Sequence, residues 1–132
     1  MKVKINWALV GILVFAAVLR IVWISNFPAG FNADEADLGY NAFSLLKTGR
    51  DGWGAPWWKI LFTDMRSFGE YKLHLYSFLA VPSLATFGLN EFAVRLPSAV
   101  FGVFGVLGVY FLAKKLFPEH KNIGLISAII MT

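Results

Sequence analysis

Tyr71-Lys72-Leu73-His74-Leu75-Tyr76-Ser77-Phe78-Leu79-Ala80-Val81-Pro82-Ser83-Leu84-Ala85-Thr86-Phe87 is the stretch on which the topology of this chain turns. It is apolar enough to be taken for a membrane span. Yet it has only seventeen residues, Lys72 and His74 stand in its first turn, and Pro82 lies inside it. A spanning helix needs about 20 apolar residues. If 71–87 spans, Lys2 and Lys4 lie on the opposite side of the membrane from Lys114, Lys115 and Lys121. If it lies along the interface, both basic clusters fall on the cytoplasmic side, which the positive-inside rule favours. We therefore read 71–87 as an interfacial helix.

Two clear spans flank it. The first is Ile5 to Ile24, twenty residues interrupted only by Asn6 near its start and Arg20 near its end. At about 1.5 Å per residue it reaches about 30 Å, enough to cross a bilayer core. Ser25-Asn26-Phe27-Pro28 offers no small-x-small cleavage site, so the segment reads as an uncleaved anchor. The second span is about 96–117, with Pro97 in its first turn and Lys114, Lys115, His120 and Lys121 at its far end. Gly102, Gly105 and Gly108 within it suit close helix approach. A third run opens at Ile123 and stops at Thr132, so the chain reads as the amino-terminal part of a larger protein. Residues 25–94 then form one long external loop.

Composition agrees with this reading. Of 132 residues, 58% are apolar and 15% charged, against about half and about a quarter in a soluble domain. A chain this short cannot bury such an excess, and it is too apolar to be disordered. Cysteine is absent, which excludes disulfides, thiolate metal sites and a cysteine nucleophile. The net charge of +4 gathers at the ends of apolar runs, as membrane proteins place it, so no nucleic-acid partner is expected.

The loop 25–94 is where chemistry is expected. It holds seven of the eight acids (Asp34, Glu35, Asp37, Asp51, Asp64, Glu70 and Glu91) and three of the five tryptophans, Trp53, Trp57 and Trp58. Tryptophan favours the headgroup zone. Asn32 with Glu35 three residues later has the form of a capping box. Leu38, Ala42, Leu45 and Leu46 make a helical apolar stripe and Gly49 suits an exit, so an interfacial helix is expected over about 33–48. Acids at a helix N-terminus are favoured by the macrodipole alone. The functional alternative is that a carboxylate near the membrane surface takes a proton from an acceptor hydroxyl while a phosphate leaves.

The surroundings of Asp34-Glu35 resemble a family. Tyr40-x-Ala42, Leu45-Leu46-x-x-Gly49, Gly69-Glu70-Tyr71-Lys72-Leu73-His74-Leu75-Tyr76 and Phe87-Gly88-Leu89-Asn90-Glu91-Phe92-Ala93-Val94-Arg95-Leu96-Pro97-Ser98 are similar to motifs of membrane glycosyltransferases of the GT-C kind. The likeness is to family 39, the protein O-mannosyltransferase-like group, and to its relative the aminoarabinose transferase of lipid A. It implies an all-α integral membrane protein with interfacial helices in its first external loop. It also implies Asp34 as catalytic base with Glu35 as companion, and Lys72 as a donor-phosphate ligand. Arg20, one turn inside the first span, is a further candidate for that phosphate. In some relatives the glutamate beside the lysine helps hold a metal, which puts Glu70 forward and makes a divalent metal the candidate cofactor. Leu73-His74 replaces the two prolines that relatives often carry.

Taken together, these readings describe a multi-pass glycosyltransferase of the cytoplasmic membrane. It would move a sugar from a polyprenyl-phosphate donor to a lipid or protein acceptor on the outer side, among membrane lipids. The alternative from another class is a transport or assembly protein whose external loop binds lipid or protein without catalysis. Pairing of Asp34-Glu35 with Glu70-Tyr71-Lys72 discriminates the two, because a scaffold has no need of it.

Overall fold

The computed structural model of the chain describes residues 6–67 and 70–132; Met1 to Ile5, with Lys2 and Lys4, and Phe68 and Gly69 lie outside the described residues. The chain divides into two compact units. One joins the segment up to Val22 with Ser98–Thr132, and the other is Trp23–Pro97.

In the first unit, helix α1 (Trp7–Ile21) starts at Asn6, whose side-chain oxygen accepts from the backbone N–H groups of Ala8 and Leu9. The helix is shorter than the stretch 5–24 anticipates, because Val22 turns extended and Trp23 takes a positive φ of 66°. At 15 residues it is about 22 Å long. A core of Ala16, Val106, Tyr110 and Ala128, flanked by Leu9, Ile12, Leu13 and Leu125, holds the unit together. Val106 and Tyr110 come from helix α5 (Glu91–Leu116), and Ala128 from helix α6 (Ile123–Met131). Helix α5 begins five residues before the expected span, and among the described residues it is the one helix long and apolar enough to cross a membrane. Of its three glycines, Gly102 lies against the Arg20 side chain while Gly108 meets nothing.

The second unit carries the acids. Helix α2 (Ala33–Thr48) has the capping box that Asn32 and Glu35 anticipate: Asn32 Oδ1 accepts from the Glu35 N–H at 2.7 Å, and Glu35 accepts from the Asn32 N–H. Gly49 closes it at a φ of 67°, a conformation that suits glycine. A turn leads to the short helix α3 (Trp57–Ile60), then to an antiparallel pair, β1 (Met65–Arg66) and β2 (Tyr71–Lys72). This pair departs from the all-helical expectation, and it moves the start of the helix expected over 71–87. Tyr71 and Lys72 pair as a strand, and helix α4 runs from Leu75 to Phe87. Its 13 residues rise about 20 Å.

Helix α2 packs on α4, and Ala42 of α2, Ala80 and Leu84 of α4 and Ala93 and Val94 from the start of α5 form one buried cluster. A second cluster, Leu45, Ile60 and Met65, seats α3 and the strand pair beneath α2. Gly39 lets α2 approach α5, since a Cβ there would fall 2.7 Å from Val94 Cγ2. Pro97 sits in the second turn of α5 and has no N–H for the carbonyl of Ala93. The Ser83 hydroxyl of α4 donates to that carbonyl instead, at 2.6 Å.

Candidate active site

Asp34 and Glu35 are neighbours in sequence, yet a helix turns adjacent side chains about 100° apart, and they take different partners. Glu35 points to Arg95. Its two oxygens accept from Arg95 Nε at 3.1 Å and from Nη2 at 2.8 Å. The same guanidinium donates to the carbonyls of Ile24, Pro28 and Gly30. This bidentate bond, the largest influence, holds the Glu35 carboxyl below the usual carboxylate range; partial burial opposes it and the Asn32 N–H adds to it. Arg95 thus ties the start of α2 to the turn that follows α1.

Asp34 faces Lys72. The ammonium lies 2.5 Å from Asp34 Oδ1, 3.6 Å from Glu70 Oε1 and 3.7 Å from Asp37 Oδ2. The hydrogen bond to Asp34 is the main cause that raises the Lys72 pKa above its ordinary value, with the charges of Asp34, Asp37 and Glu70 adding to it against desolvation. Lys72 is therefore a cation throughout the neutral range. The side chain of Asp34 is 75% exposed and that of Asp37 only 4%. Of these two acids, Asp34 can meet a substrate, whereas Asp37 acts from below.

Asp37 is well anchored. Ser67 Oγ donates to its Oδ2 at 2.7 Å and Asn41 Nδ2 to its Oδ1 at 3.1 Å. Asn41 in turn accepts from the Gly52 N–H at 2.9 Å. Asp37 and Ser67 were not singled out from the sequence. A signal for Asp37 was present, because Asp34, Asp37 and Asn41 recur at i, i+3 and i+7 and share a helix face. Ser67 carried no such signal, being brought in by the strand pair.

Arg20 makes its described contacts inside the other unit, donating to the carbonyls of Ala16, Met131 and Thr132. His74 packs edge-on against Phe78, with ring centroids 5.7 Å apart. As for a divalent metal, the residues present do not fit one: the Lys72 ammonium occupies the position between the three carboxylates where a cation would sit. Among the described residues no group of three or more His, Cys, Asp or Glu is placed to hold a metal ion.

The family described as dolichyl-phosphate-mannose-protein mannosyltransferase matches residues 55–132, more than half of the chain. The chain belongs to this family. No curated protein and no solved structure matches it. Membership makes the chain part of a glycosyltransferase of the GT-C kind. The stretch matched to the mannosyltransferase family takes in Glu70, Lys72 and Arg95, and begins after Asp34 and Glu35. What joins Asp34 to the matched region is the contact with Lys72 across 38 residues of sequence.

Proposed function

We propose that the chain supplies the acceptor-activating end of a membrane glycosyltransferase that takes its sugar from a polyprenyl-phosphate donor. The observation that carries this reading is the Lys72–Asp34 contact: an exposed carboxylate beside a cation in a chain of the mannosyltransferase family. In the resting arrangement Asp34 neutralises Lys72. When the donor arrives, its phosphate competes for the ammonium, and charge-assisted bonds to phosphate are strong. Asp34 is then free to accept the proton of the acceptor hydroxyl. The acceptor oxygen attacks the anomeric carbon, the bond from that carbon to the phosphate oxygen breaks, and the electron pair leaves with the lipid phosphate. Lys72 stabilises the charge that builds there. Glu35, committed to Arg95, keeps α2 in place and takes no proton.

The same reading sets the chain in the cytoplasmic membrane with Asp34 on the outer side. The length and apolar character of α5 support placement in a membrane, as do the exposed apolar side chains Val14, Phe15, Phe104, Phe111 and Ile130; the outer position of Asp34 rests on the distribution of basic residues. The acceptor is a lipid or a protein carrying a hydroxyl. The test is Asp34→Asn in the full-length protein, measured by transfer from a lipid-linked sugar. Activity falls by about 100-fold or more, the usual contribution of a positioned base. Activity near wild type would overturn the assignment.

A further inference from the structure

The strand pair that presents Lys72 has a second face. Pairing of Met65 with Lys72 and of Arg66 with Tyr71 sets Met65 and Lys72 on one side and Arg66 and Tyr71 on the other, since strand side chains alternate. The first side meets Asp34. On the second lies a cavity of about 490 Å³ lined by Asp51, Trp53, Lys59, Asp64, Arg66 and Tyr71, in the size range of small-ligand sites.

The charges around this cavity are not equivalent. Asp51 is buried, and its Oδ1 accepts from the N–H groups of Trp53 at 3.0 Å and Ala55 at 2.7 Å. It belongs to the turn. The Thr63 hydroxyl donates to the Lys59 carbonyl. Arg66 lies 4.4 Å from the centre of the Trp53 ring, a stacking contact that leaves the edge of the guanidinium, where its N–H groups point, available. Neither Lys59 nor Arg66 belongs to an ion pair among the described residues. Two cations without carboxylate partners therefore share one cavity with two exposed aromatic rings, Trp53 and Tyr71. Such a set recognises an anion attached to a body with apolar faces. Asp64, exposed at the rim, can accept from hydroxyl groups on that body. A sugar bearing a phosphate or carboxylate meets all three requirements.

We propose that this cavity binds a sugar bearing a phosphate or carboxylate, with Lys59 and Arg66 on the anion and Trp53, Tyr71 and Asp64 on the sugar. The site lies on the back of the strand pair whose front carries Lys72.

The test is calorimetric titration of the full-length protein in detergent with mannose 6-phosphate, methyl mannoside and inorganic phosphate as probes. Mannose 6-phosphate is expected to bind more tightly than either of the others. The Lys59→Gln/Arg66→Gln double variant weakens it by about tenfold or more, the scale of one lost hydrogen bond to a charged group. Lys59→Arg/Arg66→Lys, which keeps both charges, retains most of the affinity and controls for folding. Equal binding of methyl mannoside, equal binding of inorganic phosphate, or an unchanged titration in the double variant would each overturn the proposal. Asp34→Asn separates the two claims: it leaves this binding intact whether or not transfer is lost.

Discussion

Asp37 holds a negative charge beneath the ammonium of Lys72 while Ser67 and Asn41 hold Asp37. Asp37→Asn preserves the shape and removes the charge. The expected cost is about 1–3 kcal/mol, the range for disturbing a buried polar group, read as a lower midpoint in chemical denaturation followed by tryptophan fluorescence. Glu35 gives a pH signature of its own. Its folded pKa lies below the ordinary 4.5, so its contribution to stability is complete above that value and is lost as pH falls through the lowered one. Acid unfolding of the Trp23–Pro97 unit should therefore steepen below pH 4.5, and Glu35→Gln should flatten it; identical acid limbs would contradict the role given to the Arg95 pair. Neither partnership was legible in the sequence. Glu35 and Arg95 stand 60 residues apart and Asp37 and Ser67 stand 30 apart, and no local period connects residues at such separations. Asp34 and Lys72 were legible as candidates because their motifs are local; their contact was not.

Among the elements, α2 was the most readable. Its cap, apolar stripe and terminal glycine each act within a few residues, so local chemistry specifies it. Asn32→Ala should cost about 1 kcal/mol by removing the cap, measurable as a loss of amide protection in the first turn. The start of α4 was not legible because Tyr71 and Lys72 are claimed by strand partners a few residues earlier, Arg66 and Met65, a pairing that the apolar pattern of 71–87 does not register. The junction of α4 with α5 makes a sharper test. Ser83→Ala strands the Ala93 carbonyl and should cost about 1–3 kcal/mol. Pro97→Ala restores an N–H four residues after Ala93, so Ser83 should matter less in that background. Additive costs in the double variant would show that the two are not coupled.

For the molecule as a whole, the distribution of charge gives the arrangement to test. The chain has no cysteine, so single cysteines report without interference. Under the arrangement read from charge, Lys121→Cys is labelled from the cytoplasmic side and Leu89→Cys, an exposed position, from the outside; outer labelling at Lys121 would reverse it. The strand pair carries one more consequence for the molecule. On the two proposals above its faces meet different ligands, and a frame slip of one residue exchanges them. Deleting Tyr71 from β2 would not just take the lysine from its place opposite Asp34. It would deliver that positive charge to the side where Lys59 and Arg66 already stand, trading proton chemistry for anion capture. On those proposals, one short ribbon serves two functions through alternate side chains, so its register matters as much as its composition.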